Sequence, residues 1–359
     1  MKIGIIGLQN SGKTTIFNAL TKGDAEVTSY ASSKVEPNLA VVDVEDPRIT
    51  KLSEMYNPKK TVYATVEFTD FVGLTSGSAR EGVFSGEAMG LMKTVDALCL
   101  VLRNFHDETI DAVEGEPKPV SDLSTLDEEL VFSDLVIVEK RLERIEADLE
   151  RGRKTPELLA EQKLLNKIKA HLDEIQPLRE IGFSEEELKL IGGFQFLSLK
   201  PVLVILNSGE DNYGQNEEAL AEISQNYNAI EFAGNFEMEL SGLDEEEARA
   251  FMEDFGITES ARDRLIAFAY DMLGYISFFT VGEDEVRAWT IRKGTPAVEA
   301  AGTIHSDLQR GFIRAECFTY EDLMEAGSEK GVKENGKLRL EGKTYIVQDG
   351  DILHIRFST

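Results

Sequence analysis

Short apolar runs alternate with helical patterns through the first 130 residues of the chain. The runs are Lys2–Ile6, Leu39–Val44, Val62–Phe68 and Ala97–Leu102. Every residue of the last run is apolar, as in a strand that is buried on both faces of a sheet. Strands that alternate with helices predict a mostly parallel β-sheet covered by helices, an α/β fold.

The hydrophobic spacing changes at about residue 131. Apolar residues follow steps of three and four over 135–149 and again over 158–175, which is typical of a coiled-coil seam. Gly152 ends the first helix, and Thr155 followed by Pro156 provides a cap and a first turn for the second. The short connection predicts an antiparallel helical hairpin that projects from the sheet domain; a plain pair of surface helices is the alternative.

The strand pattern returns after this hairpin at Pro201–Asn207 and Ala229–Phe232. Helical patterns at 215–227 and 244–254 surround the second run, so the hairpin is predicted to be an insertion within one α/β domain. A smaller α+β domain follows, with one helical stretch over 296–309. Its predicted strands are 276–281, 286–291, 313–318, 337–340, 344–348 and 352–357.

Composition narrows the class of protein. The 359 residues suggest more than one domain, and 42% hydrophobic content is enough for packed cores. The formal net charge of −28 argues against general DNA or RNA binding. We expect no membrane span, because no run of 18 apolar residues occurs, and no signal peptide. With only two cysteines, Cys99 and Cys317, a disulfide framework is not expected, and the chain fits a cytoplasmic location.

The strongest motif is Gly7–Thr14, which reads G-x-x-x-x-G-K-T between a predicted strand and a predicted helix. Its backbone N–H groups would surround nucleotide phosphates, and the helix N-terminus favours an anion. Lys13 is expected at the β- and γ-phosphates and Thr14 on Mg²⁺. The predicted nucleotide contacts are Asn10, Ser11, Gly12, Lys13, Thr14 and Thr15.

A second motif, Asp70–Gly73, follows the predicted strand 62–68. At this place Asp70 is expected near the Mg²⁺ ligands and the Gly73 N–H near the γ-phosphate, so both are predicted catalytic residues together with Lys13 and Thr14. The next residue is Leu74, where Ras-type GTPases carry a Gln that orients the attacking water. Either another group therefore positions the attacking water, or hydrolysis is slow.

A third motif, Asn207–Glu210, follows the strand 202–206 where GTPases carry N-K-x-D. Ser208 replaces the Lys and Glu210 replaces the Asp that accepts hydrogen bonds from guanine. This exchange favours adenine, and base contact is predicted for Asn207, Ser208 and Glu210. The segment that begins with Ala233 and Gly234 is predicted to lie beside the base.

With these motifs the chain resembles the Obg-like ATPases, the YchF family of translation-factor-class P-loop proteins. The resemblance covers essentially the whole sequence. It is carried by the three motifs, the hairpin and the following segments: Glu36–Asn38, Phe278–Thr280, Val286–Ile291, Gly302–His305, Arg310–Glu316 and Val347–Asp351.

From the motif residues and the composition we expect a slow, Mg²⁺-dependent, cytoplasmic enzyme, and we expect a monomer. The resemblance implies an ATPase without the catalytic Gln. It also implies ribosome binding through the coiled coil and a C-terminal TGS domain, which has a β-grasp, ubiquitin-like fold. The predicted bounds are 1–130 and 199–275 for the nucleotide-binding domain, 131–198 for the helical insertion and 276–359 for the TGS domain.

Some positions depart from the family pattern. Lys34 stands where the family has a switch I Thr; either Mg²⁺ takes another ligand, or the ammonium meets the γ-phosphate, or Lys34 faces solvent. The Gly- and Lys-rich stretch after Asp70–Gly73 is only partly matched at 75–84, and Ala233–Asn235 replaces the usual S-A-K. Two alternatives to an ATPase therefore stay open: a nucleotide-gated ribosome-binding scaffold with negligible hydrolysis, and a GTPase.

Overall fold

A computed structural model of the chain describes residues 1–21, 38–71, 86–243, 245–254 and 260–358. The strands are β1 Lys2–Ile6, β2 Asn38–Asp43, β3 Lys60–Val62, β4 Thr65–Asp70, β5 Ala97–Asn104, β6 Val202–Ser208, β7 Asn228–Phe232, β8 Tyr275–Thr280, β9 Glu285–Arg292, β10 Phe312–Thr319, β11 Arg339–Glu341 and β12 Asp351–Phe357. The α-helices are α1 Lys13–Thr21, α2 Pro47–Tyr56, α3 Gly86–Met92, α4 Glu108–Glu114, α5 Pro119–Glu150, α6 Pro156–Leu172, α7 Glu185–Ile191, α8 Glu217–Ile223, α9 Gly234–Ser241, α10 Glu245–Asp254, α11 Ala261–Met272, α12 Ala297–Ile304, α13 Ser306–Arg310, α14 Tyr320–Ala326 and α15 Glu329–Glu334.

Contacts divide the chain into two units. The first combines Met1–Val41 with Glu67–Arg262, and the second combines Val42–Val66 with Asp263–Thr359. Residues 42–66, which the sequence pattern placed with the nucleotide-binding domain, thus fall in the second unit. The four-segment division stays a prediction.

The first unit contains a six-stranded sheet in the order β2-β4-β1-β5-β6-β7. Strand β1 pairs in parallel with β4 and β5, and the series β5-β6-β7 is also parallel. All seven residues of β6 are buried, which explains its continuous apolar sequence. This confirms the predicted α/β class, and it places the carboxyl ends of β1, β4, β5 and β6 at one edge of the sheet.

The helix α5 extends from the sheet into the helical pair. Its first third packs Leu123, Leu126 and Leu130 against the sheet core. Beyond Val131, its apolar residues pack against α6 in a separate core. Thr155 caps α6 by accepting a hydrogen bond from the Leu158 N–H at 3.2 Å, as the sequence predicts.

The root of this pair is fixed by Asp134, which is fully buried. Its carboxylate accepts hydrogen bonds from the N–H groups of Leu197 at 2.9 Å and Ser198 at 2.7 Å, and from the Ser198 hydroxyl at 2.7 Å. Burial raises the pKa of Asp134 to about 6, although the three hydrogen bonds act in the opposite direction. The segment that returns to β6 is therefore tied to α5.

The second unit contains a six-stranded sheet in the order β11-β10-β12-β8-β9-β3. The pairs β8–β9, β10–β12 and β10–β11 are antiparallel, whereas β12–β8 and β3–β9 are parallel. One face is covered by a core that includes Phe279, Phe318 and Ile352, and the other by a core that includes Phe278 and Leu353.

Four predicted elements are wrong in detail. The run Val62–Phe68 is not one strand, because β3 and β4 belong to different sheets. Residues 344–348 form no strand; only Ile346 makes an isolated bridge, to Pro296. The helical stretch 296–309 is broken at the extended residue His305. Ile175 lies beyond the end of α6, with a φ of 58° and 47% of its surface exposed, so it is not part of the seam.

Both cysteines are buried and free. Burial raises the pKa of the Cys99 thiol far above its usual range, and that of Cys317 to about 12. Both thiols are therefore protonated and poorly reactive at neutral pH. Within the described part of the chain, no helix has the length and apolar character needed to cross a bilayer.

Candidate nucleotide-binding site

The loop between β1 and α1 has the backbone that the P-loop motif requires. Gly12 has a φ of +92°, and a Cβ there would lie 2.1 Å from the Asn207 amide nitrogen. A Cβ on Gly7 would lie 2.5 Å from the Val101 carbonyl oxygen. Both positions therefore exclude a side chain, which explains why the first and sixth residues of the motif are glycines.

Lys13, the first residue of α1, folds back over this loop. Its ammonium donates hydrogen bonds to the carbonyl oxygens of Gly7 at 3.0 Å and Leu8 at 2.6 Å. Burial lowers the pKa of Lys13, while the negative charges of Asp70 and Glu114 act to raise it. The ammonium is thus held at the loop by neutral carbonyl groups that an anionic phosphate can replace.

Thr14 and Asp70 form the pair that the sequence predicts as Mg²⁺ ligands. Strand β4 places Asp70 beside Ile5 of β1, and the Thr14 hydroxyl donates to the Asp70 carboxylate at 3.4 Å. Hydroxyl and carboxylate oxygens are donors that Mg²⁺ accepts. Within the described residues, no cluster of three or more His, Cys, Asp or Glu side chains has a metal-binding arrangement.

Asn207, at the end of β6, connects three parts of the site. Its amide nitrogen donates to the Ser11 carbonyl oxygen at 3.0 Å, and its amide oxygen accepts from the Gly234 N–H at 3.2 Å. The side chain is buried, with 3% of the residue exposed. The loops that follow β1, β6 and β7 therefore meet at this residue, so Ala233 and Gly234 lie beside the P-loop.

The chain matches known proteins over its full length. A family model described as a 50S ribosome-binding GTPase matches residues 2–140, and the model named YchF-GTPase_C, described as a protein of unknown function, matches residues 275–358. The "Ribosome-binding ATPase YchF" of Bacillus subtilis is 41% identical over 99% of this chain and 98% of its own. The protein of the same name from Haemophilus influenzae is 38% identical over 99% of each chain.

The chain belongs to the YchF family. In agreement, the solved structure of the Schizosaccharomyces pombe YchF GTPase superposes with a TM-score of 0.87 at 34% identity, over 99% of this chain and 97% of that one. The resemblance stated from the sequence is thereby confirmed.

Several predicted site residues of this YchF family member lie outside the described residues: Gly73, Leu74, Lys34 and the 75–84 stretch. Asn10, Ser11, Thr15 and Glu210 are all in the described part. Ser11 is buried in the loop, Thr15 is half-buried, and Asn10 and Glu210 are exposed. Their contacts with a nucleotide stay a prediction.

Ser208 occupies the place of the GTPase Lys, but it faces a partly buried polar network. Its hydroxyl donates to the Glu231 carboxylate at 2.6 Å and accepts from the Asn104 amide at 3.0 Å. Asn216 also donates to Glu231, at 2.6 Å. These hydrogen bonds fix the start of the β6–α8 loop. Ser208 therefore helps to position the loop that carries Glu210.

Sequence reasoning missed the partners of Ser208 in this network and one further neighbour of the P-loop. Glu231 lies on β7, 23 positions from Ser208, and no motif marks it. Glu114 ends α4 and accepts a hydrogen bond from the Asn10 amide nitrogen at 2.7 Å. For Glu231 the available signal is position, since it lies near the carboxyl end of a strand of the parallel sheet, where ligands bind. Glu114, at the end of a helix, has no such signal.

Proposed function

We propose that this protein binds ATP with Mg²⁺ and hydrolyses it slowly to ADP and phosphate. The observation that carries the proposal is the meeting of Lys13, Thr14, Asp70 and Asn207 in one site at the carboxyl edge of the sheet. The curated relatives named ATPases support it, at 36–41% identity over nearly the whole chain.

The roles follow from the arrangement. The N–H groups of the P-loop and the Lys13 ammonium bind the phosphate chain, and Thr14 with Asp70 would hold Mg²⁺. When bound, Mg²⁺ neutralises charge on the β- and γ-phosphates. The Gly73 N–H is proposed to contact the γ-phosphate. Leu74 has no group that orients water, so hydrolysis is slow.

The proposed preference for ATP rests on the loop Asn207–Glu210, called here the base loop. Asn207 is hydrogen-bonded to Ser11 and Gly234, and Ser208 is hydrogen-bonded to Glu231. The loop carries Glu210 in place of the Asp that binds guanine in GTPases, and Ser208 in place of the Lys. The double variant Ser208→Lys, Glu210→Asp is expected to bind GTP more tightly relative to ATP than wild type does, as measured by the two Kd values. An unchanged ratio would contradict the role of this loop.

Ribosome binding is proposed through the pair α5–α6, as a coiled coil, and through residues 276–359, as a TGS domain. A cytoplasmic, monomeric protein that regulates translation or the stress response in a nucleotide-dependent way fits this function. The charge distribution supports these contact regions: residues 131–180 hold 10 basic and 11 acidic residues, whereas 201–275 hold 3 and 17. Phosphate repulsion is therefore smallest where contact is proposed.

The helical pair permits a sharp truncation. Lys169 of α6 forms an ion pair with Glu139 of α5 at 2.9 Å, so the two helices are adjacent at that level. Replacing residues 140–168 with a short Gly–Ser linker leaves the Asp134 root in place. We expect ATP binding to persist and salt-sensitive co-sedimentation with ribosomes to be lost. Unchanged co-sedimentation would remove the pair from the proposal.

A scaffold that binds ATP without turning it over is the second candidate, favoured by Leu74 and Lys34. Phosphate release from ATP, measured with Mg²⁺ and with EDTA, in the presence and absence of ribosomes, separates the two. Mg²⁺-dependent release above that of a Lys13→Ala variant supports the ATPase. Release equal to that of the variant in all conditions supports the scaffold.

A further inference from the structure

The P-loop has an acidic neighbour that the phosphate-binding motif does not require. The Glu114 carboxylate accepts a hydrogen bond from the Asn10 side-chain amide at 2.7 Å, across 104 positions of sequence. Asn10 itself has a φ of 55°, in the left-handed region, and lies in the middle of the loop. The contact therefore joins the C-terminal end of α4 to the loop that is expected to surround the phosphates.

The position of Glu114 is set by a buried arginine. Arg103, at the end of β5, is 5% exposed and forms an ion pair with Asp111 of α4 at 2.8 Å. It also donates a hydrogen bond to the Gly115 carbonyl oxygen. Asp111 and Glu114 are three residues apart and thus lie on the same face of α4. The helix is held from the sheet side, with this face toward the P-loop.

Glu114 places a negative charge beside a loop that is expected to bind negatively charged phosphates. Lys13 and the N-terminus of α1, which begins at this residue, both attract an anion. The Glu114 carboxylate interacts favourably with the Lys13 ammonium, and its negative charge is one cause that raises the pKa of that ammonium. An incoming phosphate chain meets the same ammonium and a like charge beside it, so Glu114 and the phosphates act against each other.

We propose that Glu114 competes with the nucleotide phosphates for Asn10 and Lys13, and thereby lowers the affinity of the site for nucleotide. In the empty loop the carboxylate positions Asn10; when nucleotide binds, Asn10 is released and the carboxylate moves away from the phosphates. The consequence is faster release of nucleotide from a site that would otherwise retain it. This inference rests on the proposed function, because it assumes that the loop binds ATP and ADP.

The variant Glu114→Gln removes the charge and keeps the shape of the side chain. Glu108→Gln, on the exposed first turn of the same helix, is the matched control with the same charge change. Equilibrium titration of fluorescent ATP and ADP analogues at low salt gives the Kd values. We expect Glu114→Gln to bind both about two- to fivefold more tightly than wild type, the effect of one partly screened charge. Its dissociation rate should fall, and Glu108→Gln should match wild type.

Raising the salt concentration should reduce the difference between wild type and Glu114→Gln, because screening weakens the repulsion. Equal or weaker binding by Glu114→Gln would overturn the proposal, as would the same gain in Glu108→Gln, which would show a general effect of net charge. The proposed function is checked separately in the same titration. Failure of wild type to bind ATP would overturn that function, whereas normal wild-type binding with an unchanged Glu114→Gln overturns only the role of Glu114.

Discussion

The side chain of Asn207 joins segments of the site that are far apart in the sequence. It donates to Ser11 in the P-loop and accepts from Gly234 at the start of α9. An amide is needed for this, since it supplies a donor and an acceptor at the same time. The nucleotide site therefore depends on Asn207 for its shape as well as for any contact with the base.

The variant Asn207→Ala should bind ATP at least about tenfold more weakly and lower the thermal midpoint of unfolding. The reason is that a buried carbonyl and a buried N–H each lose a partner, which costs roughly 1–3 kcal/mol per group. Isothermal titration and thermal melts measure the two effects. The exposed Asn226→Ala is the control, and wild-type affinity in Asn207→Ala would contradict the proposed role.

Asp134 predicts a pH dependence of stability. Its folded pKa of about 6 lies above the value of about 3.9 for an unfolded Asp. The folded state therefore holds a proton that the unfolded state releases, and the free energy of unfolding falls as pH rises from about 4 to 6. This contribution is present below pH 4 and lost above pH 6.

Urea unfolding of wild type and Asp134→Asn across this pH range measures the effect. The stability of wild type relative to the variant should fall by on the order of 2–3 kcal/mol between pH 4 and 6. A difference that does not vary with pH would show that the pKa of Asp134 is not raised.

A residue of the site could be predicted from the sequence where it belongs to a recognisable motif. Lys13, Thr14, Asp70 and Asn207 were found this way, because a P-loop fixes the spacing and the strand ends fix the order. Glu231 and Glu114 could not be found, because their partners Ser208 and Asn10 lie on other elements. The loop that a given carboxylate contacts depends on how the elements pack. For Glu114, the contact with the P-loop depends on Arg103, which holds α4 in place.

At the scale of elements, α5 is the helix that belongs to two cores. It is 32 residues long, which corresponds to about 48 Å at roughly 1.5 Å per residue. Leu126 and Leu130 are buried against the sheet, whereas Val138 and Ile145 are buried against α6. A single continuous helix therefore links the nucleotide-binding part to the helical pair.

The two cores should respond separately to mutation. Leu165→Ala on α6 removes a fully buried side chain from the helical pair and should destabilise it by about 2–5 kcal/mol. Amide hydrogen exchange should increase over 156–172 while the Kd for ATP stays at the wild-type value. Leu159→Ala, at a position 46% exposed, is the control. Loss of ATP binding in Leu165→Ala would contradict the independence of the two cores.

Elements with a clear apolar pattern were predictable, whereas the break between two adjacent strands was not. The apolar runs at β1, β5 and β6 and the seam of α5 and α6 repeat their pattern over enough residues to identify them. The run Val62–Phe68 reads as one strand because both β3 and β4 have strand sequences; only the different partners, β9 and β1, reveal the break. Likewise, residues 344–348 contain three consecutive residues that favour strands, Tyr345–Val347, but only Ile346 makes a bridge, to Pro296.

At the scale of the whole molecule, the uneven charge distribution separates the proposed roles. Half of the net charge of −28 arises in residues 201–275, which the sequence predicts as the second part of the nucleotide-binding domain. The segments 131–180 and 276–359 are nearly balanced, with 10 and 11 basic residues against 11 and 14 acidic ones. The chain as a whole should therefore avoid free nucleic acid, while these two segments can approach a ribonucleoprotein surface.

The P-loop site is proposed to select ATP over GTP through the loop Asn207–Glu210. Parallel equilibrium titrations of the purified protein with ATP and GTP, at the same Mg²⁺ and salt concentrations, test it most directly. We predict saturable ATP binding with a Kd about tenfold or more below that for GTP, the discrimination that roughly one or two hydrogen bonds provide. Tight GTP binding without ATP binding would contradict the proposed selection of ATP by this loop.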